Sequence, residues 1–395
     1  MKLNIIHNVI SIGPDSFGIG AVSMGSATSQ YKMGHNPVVW CLDLPNVYTE
    51  AAEKYAFPPK DIIGFPQFGP KQLYFSPSLI RHASKQKTNG ISLVHQHGIW
   101  GANSLATLLM ARLNDVPTVI SPHGSLSAWA LNKSANKKSI AFYEKLNLKY
   151  ASCLVATSEL EINDFRDFKL SNPIAYIPNG TILPEDSIMG NKDIFYEKYR
   201  IPKSKRILLF LSRITSKKGL LMLLDAISMM KQEFSGWILI IAGNDEGGHS
   251  KEVKDMIRKH QLSNHVKIIG TQFHEWKQHA FAAAELFILP SLSEGAPMVI
   301  LESLAAGLPV LTTKSSSWKD LITYKCGWWT DIGVDAVALS LREAVAMSSN
   351  ELHEMGARGK ELIRQKYVWS NISEMNIHLY LWLLKMADKP DFVLK

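Results

Sequence analysis

Cysteine is scarce in this chain: three residues, Cys41, Cys153 and Cys326, in 395. They lie far apart and form no C-x-x-C pair, which excludes a disulfide-stapled scaffold and a zinc ribbon and fits structural thiols in a reducing compartment. Long apolar runs are absent. Stretches such as Ile207–Leu211 and Trp237–Ala242 fall far short of the ~20 residues that cross a bilayer. The opening, MKLNIIHNVISIGPDS, has one lysine, a short apolar stretch and no small-residue cleavage site, so it reads as a first strand and not as a signal peptide. A cytoplasmic protein is the expectation. There is no low-complexity tract and no repeat at solenoid spacing. A G-x-x-x-x-G-K-[ST] phosphate loop is missing. Gly13, Gly18 and Gly20 do not have G-x-G-x-x-G spacing, so a dinucleotide dehydrogenase is poorly supported. Zinc-finger spacing, an RNP-like aromatic motif and a long basic tail are also lacking, which argues against nucleic acid as a partner.

What is present is the balance of a globular protein, 46% hydrophobic and 20% charged, with a formal net charge of +8. That excess fits an anionic membrane, phosphorylated substrates or a merely solvated surface. The lysines are dispersed apart from Lys133, Lys137, Lys138, Lys145 and Lys149. Short β-rich runs alternate with segments of helical period, the pattern of parallel sheets with crossover helices. Strands are expected at Leu3–Val9, Pro37–Leu42, Ser92–Gln96, Thr118–Ser121, Leu154–Thr157 and Ile174–Ile177, with helices such as Asn103–Leu113 and Ala135–Lys149 between them. The pattern begins again at Arg206–Arg213. Strands follow at Trp237–Ala242, His265–Ile269, Leu286–Pro290 and Pro309–Thr313, with helices at Leu220–Glu233, His249–Gln261 and Met298–Ala306. The IPNG punctuation at Ile177–Gly180 divides the two sets. The expected division is residues 1–180, 181–370 and a closing segment 371–395. Two doubly wound domains place ligands beyond the carboxyl ends of their strands, and a cleft between the domains is the default site.

The most informative stretch is LPSLSEGAPMVILESLAAGLPVLTT, Leu289–Thr313. It reads as strand, loop, helix, turn, strand. Pro297 suits the first helical position, Gly307 the C-terminal cap, and Pro309 stops continuation. Free N–H groups near Gly295, Ala296, Pro297 and Met298 then point out of the helix start, where an anion such as a diphosphate binds. Glu294 precedes the helix and Glu302 lies inside it. Such a pair of carboxylates accepts hydrogen bonds from the hydroxyls at two ends of a nucleotide sugar. The alternative is a helix-start acid and a solvated helix residue. The second stretch is LSRITSKKG, Leu211–Gly219. Arg213 emerges at a strand's carboxyl end and Lys218 stands just before a helix, and two fixed cations there neutralise a departing diphosphate. The alternative is surface basic residues in a turn.

With these residues in view, the second half resembles the retaining glycosyltransferases of family four, which have the GT-B fold: two Rossmann-like α/β domains facing across a cleft, with a last helix crossing back to the first domain. The matching marks are Arg213, Lys218-Gly219, IAGNDEGG at Ile241–Gly248, which includes Gly243, then Gly270, SEGAPMVILESLAAGLPV and Cys326–Trp328. The resemblance implies that Arg213 and Lys218 bind the donor diphosphate, Glu294 the donor sugar and Glu302 the ribose, with Thr271, Gln272 and Phe273 near the nucleobase. Many members carry Phe-Gly after the Glu-Gly, where this chain has Ala296-Pro297. No D-x-D, the metal-diphosphate holder of the other glycosyltransferase fold, is present, so no metal and no cofactor are expected, and the donor is a UDP- or GDP-sugar substrate.

The first half matches more loosely. FGIG at Phe17–Gly20 resembles the family's glycine loop near the donor phosphate, so Gly18 and Gly20 are expected there. SPHGSLSAWAL at Ser121–Leu131 resembles the acceptor-side histidine motif, and the resemblance places His123 facing the donor sugar. A loop histidine bonded to backbone is the alternative. HQHGIW at His95–Trp100 suggests a metal, but no further ligands are adjacent in sequence. HEWKQH at His274–His279 has one residue too many for H-E-x-x-H. The aromatic tail Lys366–Lys385 reads as an amphipathic closing helix, similar to family members that build lipopolysaccharide or exopolysaccharide. These likenesses imply a glycan or lipid-linked saccharide acceptor and peripheral contact with the anionic inner face of the plasma membrane. Two rivals stay open on sequence: a nucleotide-sugar epimerase of the same fold, and a non-catalytic binding protein.

Overall fold

The computed structural model describes the chain except residues 14–15, 71–72, 87–89, 133–136, 185–189 and 395, and except the side chains of 17, 129, 132 and 137–141. It forms two compact units, Met1–Gly180 with Trp369–Lys395, and Thr181–Val368. The strands are β1 (Asn4–Val9), β2 (Asn36–Cys41), β3 (Ile62–Gly64), β4 (Leu93–His97), β5 (Thr118–Ser121), β6 (Cys153–Ala156) and β7 (Ile174–Tyr176), then β8 (Arg206–Leu211), β9 (Trp237–Ala242), β10 (Val266–Gly270), β11 (Leu286–Leu289), β12 (Val310–Thr313) and β13 (Gly327–Thr330), and finally β14 (Val393–Leu394).

In the first unit the order is β14-β7-β6-β5-β4-β1-β2-β3, parallel except for β14, which runs antiparallel to β7. In the second it is β10-β9-β8-β11-β12-β13, all parallel. Both orders reverse once, between β4 and β1 in the first sheet and between β8 and β11 in the second. Loops leaving neighbouring strands part there in opposite directions and open a crevice for a ligand. Strands covered by helices on both faces must be apolar throughout. WILIIA in β9 and LFIL in β11 are accordingly buried at every position. The core of the second unit closes over its sheet with Phe195, Phe210, Phe234, Trp237 and Phe287. The first unit carries apolar clusters centred on Trp40 and Leu79, on Met24 and Phe57, and on Leu154 and Phe165.

Several expectations are corrected. Phe17–Gly20 is not a loop but the first turn of the helix Phe17–Lys32. A Cβ on Gly20 would collide with Ser16, at 1.9 Å from Oγ and 2.8 Å from Cβ, so the glycine serves close packing against Ser16. The helix expected at Leu220–Glu233 ends at Ser228, and a 3-10 turn follows at Glu233–Gly236. Pro297 caps the helix Met298–Ala305 from outside, with extended ψ of 117°, and is not its first residue. The tail is not one helix from Lys366: residues Ile363–Tyr367 form a π-type turn, Val368 is extended, and the closing helix is Trp369–Leu383. Strands β3, β13 and β14 were not expected; each is short and lies at or beside a sheet edge.

The closing helix belongs to the first unit. Trp369 occupies space that a Cβ on Gly25 or Gly180 would fill, at 2.2 and 2.6 Å, and Ser29 Oγ donates to the Trp369 carbonyl at 3.1 Å. No helix among the described residues is long and apolar enough to cross a membrane.

Candidate functional site

In the second unit the relevant loops leave the carboxyl ends of β8 and β11, adjacent strands at the point of reversal. The β8 loop is zipped to the β9 loop. Ser212 N donates to the Ala242 carbonyl, Ile214 N to that of Asn244 and Glu246 N to that of Ile214. Gly243 sits where a Cβ would meet the Ser212 carbonyl at 1.8 Å, so glycine is demanded by backbone contact alone. Arg213 leaves this loop half-exposed and pairs with Glu246 at 2.7 Å. Lys218 ends a short 3-10 turn, and Gly219 follows with φ of 70°. A Cβ there would strike the Pro290 carbonyl at 1.9 Å, which is how the Lys218 turn packs flat on the end of β11.

That contact brings Lys218 and Glu294 together. Their side chains form a salt bridge with only 9% and 8% exposed. Ser291 Oγ donates to the same Glu294 oxygen at 2.7 Å. The loop is fastened from behind: Glu294 N donates to the Ser315 carbonyl, and Thr313 and Ser315 hydroxyls both donate to the Ser291 carbonyl, at 2.5 and 2.8 Å. Pro297 makes no side-chain cap on the helix Met298–Ala305, so the first N–H groups of the helix keep their capacity for an anion. Glu302 lies within this helix and pairs with Lys277 at 2.7 Å, both partly exposed. Thr271, Gln272 and Phe273 follow Gly270 at the end of β10. Thr271 and Phe273 are exposed, but Gln272 turns inward and accepts from Tyr199 Oη at 2.9 Å. Lys218 and Glu294 are therefore in direct contact, whereas Arg213 and Glu302 have partners of their own, Glu246 and Lys277, which sequence reasoning did not supply.

The first unit holds a second cluster at its own reversal point. His7 on β1 and His95 on β4 are register partners, and His97 lies two residues along on the same face. All three are buried. His123 follows β5 in a left-handed turn, φ 54° with Gly124 at 74°. The four rings stack, with centroids 5.2 Å apart for His7–His97, 4.3 Å for His95–His97 and 5.6 Å for His97–His123. Burial holds His7 and His123 down to a pKa of about 4, and His95 and His97 well below the ordinary imidazole value. The carboxylate of Glu161, buried in the helix Glu159–Asp167, fixes the turn. It accepts from Gly124 N at 2.7 Å and from Thr157 N and Oγ1 at 2.8 and 2.9 Å.

Ligand nitrogens of His7, His95 and His97 lie within 4.8 Å of one another, a third histidine that the H-x-H pair alone did not reveal. Their bonding does not match a metal cradle. His7 uses Nδ1 on His97 and Nε2 on Gln30, His95 uses Nδ1 on Tyr380 and Nε2 on Ser121, and His97 uses its remaining Nδ1 on His123. A ligating nitrogen needs its lone pair free for the ion. His7 was legible in one respect: a histidine inside the apolar run NIIHNV must find partners once buried. Gln30, Glu161 and Tyr380 carry no comparable signal. Of the basic helix, Lys133 lies outside the described residues, as do the side chains of Lys137 and Lys138. Lys145, Lys149 and Phe142 are exposed, and Leu148 is buried.

Comparison with known proteins agrees with this architecture. The family described as Glycosyltransferase Family 4 matches residues 18–183, and the one described as Glycosyl transferases group 1 matches 191–362. The amylovoran biosynthesis glycosyltransferase AmsK of Erwinia amylovora is 30% identical over 165 residues, 40% of this chain and 38% of that protein. The lipopolysaccharide 1,2-N-acetylglucosaminetransferase of Salmonella typhimurium is 24% identical over 212 residues, 51% of this chain and 54% of that protein. The chain spans about half the length of the curated relatives it matches. Anabaena HepE, solved in complex with UDP and glucose, superposes with a TM-score of 0.74 at 17% identity, covering 95% of this chain and 99% of that one. The fold is that of the GT-B glycosyltransferases. Within that class, the chain belongs to the glycosyltransferases built from a family 4 domain followed by a group 1 domain.

Proposed function

We propose that the protein is a retaining, metal-independent glycosyltransferase that moves a sugar from a UDP- or GDP-sugar to a glycan or lipid-linked saccharide in cell-surface polysaccharide synthesis, on the cytoplasmic side. The observation that carries this reading is the contact of Lys218 with Glu294 across the ends of β8 and β11. A cation for the diphosphate and a carboxylate for sugar hydroxyls are thereby placed side by side. The sugar–diphosphate bond breaks as the acceptor oxygen bonds the same carbon from the same face. The acceptor's proton passes to a departing diphosphate oxygen. Arg213, Lys218 and the open start of the helix Met298–Ala305 take up the charge that develops on the leaving group. Glu302 binds the ribose, with Thr271 and Phe273 toward the nucleobase. His123 receives a sugar hydroxyl. The names of AmsK and of the Salmonella enzyme support the polysaccharide setting, and HepE's bound UDP supports a uridine donor.

Arg213→Ala and Lys218→Ala should each weaken nucleoside diphosphate binding, by roughly 2–4 kcal/mol for a preorganised charge contact. Isothermal calorimetry reads this directly, and unchanged affinity in both variants would place the phosphates elsewhere. Transfer should survive excess EDTA, because the chain supplies the positive charge; complete loss restored by magnesium or manganese would overturn the metal-independent mechanism. Contact with anionic lipid is checked by vesicle sedimentation. Exposed Phe142, Lys145 and Lys149 predict binding to anionic but not to neutral vesicles.

A further inference from the structure

The four stacked histidines are joined by hydrogen bonds whose direction can be followed atom by atom. Gln30, on the helix Phe17–Lys32, is where two branches meet. Its amide nitrogen donates to Ser26 Oγ at 3.0 Å and to Tyr380 Oη at 3.5 Å. Its carbonyl oxygen lies 2.8 Å from His7 Nε2. An amide oxygen only accepts, so His7 carries its proton on Nε2, and His7 Nδ1 is left as an acceptor. His97 Nε2, 2.9 Å away, must donate to it. His97 Nδ1 is then the acceptor for His123 Nε2 at 3.4 Å. The other branch starts from the same amide. Tyr380 Oη accepts from Gln30, so its proton goes to His95 Nδ1 at 2.6 Å, and His95 Nε2 donates to Ser121 Oγ at 2.8 Å.

We propose that Gln30, His7 and His97 are positioning residues that lock His123 in the Nε2–H tautomer, so that its unprotonated Nδ1 serves as a hydrogen-bond acceptor for a hydroxyl of the sugar substrate. None of them needs to touch that substrate. A neutral imidazole has one donor and one acceptor, and which is which follows from what the other nitrogen bonds. His123 alone would interchange tautomers, and part of its population would present a donor where a sugar hydroxyl needs an acceptor. Three further features suit the assignment. His123 lines a pocket with His97, Ser121, Thr157, Asn179 and Trp369. Among the described residues, Nδ1 of His123 has no hydrogen-bond partner, whereas every nitrogen of the other three rings has one. Among the described residues no carboxylate bonds any of the four rings, since Glu161 is spent on Gly124 and Thr157, so none of them favours a charged imidazolium. Burial keeps all four neutral near pH 7.

The sugar contact of His123 rests on the proposed function; the tautomer does not, and the two can be tested apart. The full chain labelled with nitrogen-15 histidine, with His123 assigned by loss of its signals in His123→Asn, gives a long-range proton–nitrogen spectrum that reports each tautomer. The expected result for the unsubstituted protein at pH 7 is neutral His123 with its proton on Nε2. A proton on Nδ1, or an even mixture, overturns the proposal without recourse to any variant. Gln30→Met, of nearly the same volume but without an acceptor, should turn His123 into a mixture, while Ser121→Ala, which removes a partner of His95 outside the path from Gln30 through His7 and His97, should leave the Nε2–H form in place. A purely structural role for Gln30 predicts no such difference. In a transfer assay Gln30→Met should lower kcat at least threefold and leave nucleoside diphosphate affinity unchanged. If instead His123→Ala transfers sugar at the full rate while the spectrum is as expected, the lock stands and the sugar contact fails.

Discussion

At the scale of single residues, the two glutamates of one sequence stretch are given different work. Glu294 precedes its helix and is tied to Lys218 and Ser291, whereas Glu302 lies inside the helix and meets Lys277. Glu302→Gln should weaken the free nucleoside diphosphate and the intact donor alike, by about 1–3 kcal/mol for a lost charged hydrogen bond. Glu294→Gln should leave the diphosphate nearly untouched and depress transfer by roughly a hundredfold or more, because its hydroxyl partners exist only on the sugar. Calorimetry beside a transfer assay separates the two, and full activity in Glu294→Gln would remove the main site assignment. The ion pair adds a stability consequence. Breaking a buried pair strands a charge, at about 3–5 kcal/mol. Lys218→Met alone should therefore destabilise the second unit more than Lys218→Met with Glu294→Gln, a sign that urea denaturation of the single and double variants reads directly. Lys218 and Glu294 were legible because their chemistry is declared by local motifs: a basic turn before a helix, and a glycine loop before a capped one. Their mutual contact was not, since it depends on Gly219 letting two strand ends close to backbone contact.

At the scale of elements, strands buried on both faces announced themselves, and β8, β9, β11 and β12 fall within the expected bounds or within a residue of them. Periodicity failed where tertiary contact decides the boundary. The tail is the clearest instance. Lys366–Lys385 has continuous helical period, yet the chain breaks at Val368, which forms an isolated bridge with Thr181, and restarts at Trp369. The restart sends Trp369 against Gly25 and Gly180 and carries Tyr380 to the histidines. Local sequence holds no trace of those distant glycines. Phe17–Gly20 fails the other way: two glycines suggested a loop, but both lie in a helix start, where Gly20 permits close packing. The closing helix is accordingly tested at both of its anchors. Tyr380→Phe should cost about 1–3 kcal/mol by leaving His95 Nδ1 buried without its donor. Gly25→Val, which needs space that Trp369 occupies, should cost at least about as much through overpacking. Both losses should appear in thermal or urea denaturation of the whole chain. A Tyr380→Phe variant as stable as the parent would mean that the hydroxyl of Tyr380 does not hold the helix.

At the scale of the whole molecule, the two units share a topology and differ in how they carry charge. The second unit keeps its site groups as ion pairs at strand ends, whereas the first gathers four neutral histidines, three of them buried, at the ends of its central strands. Histidines whose folded pKa is depressed bind fewer protons in the native than in the unfolded state below pH 6.5. Their contribution is therefore intact above that pH and is withdrawn as pH falls toward the folded values. For His7, held down to about 4, the full withdrawal comes to about 3 kcal/mol. Two buried carboxylates of the same unit, Glu144 and Glu161, oppose this. Burial raises their pKa, so the native form gains on the unfolded one as pH falls through their folded values. Four histidines, three of them buried, outweigh two acids, each of which accepts hydrogen bonds that favour its charged form. In the second unit, among the described residues, His265 is the one histidine shifted downward, and it is only partly buried. The expected outcome is a first unit that loosens between pH 6.5 and pH 4 while the second holds. Hydrogen exchange read by mass spectrometry and corrected for the intrinsic rate resolves the two, with peptides covering β1 and β4 losing protection at pH 5 relative to pH 7 and those covering β8 and β11 changing far less. Equal loss in both sets, or none in β1 and β4, would show that the buried histidines do not set the acid stability of their unit.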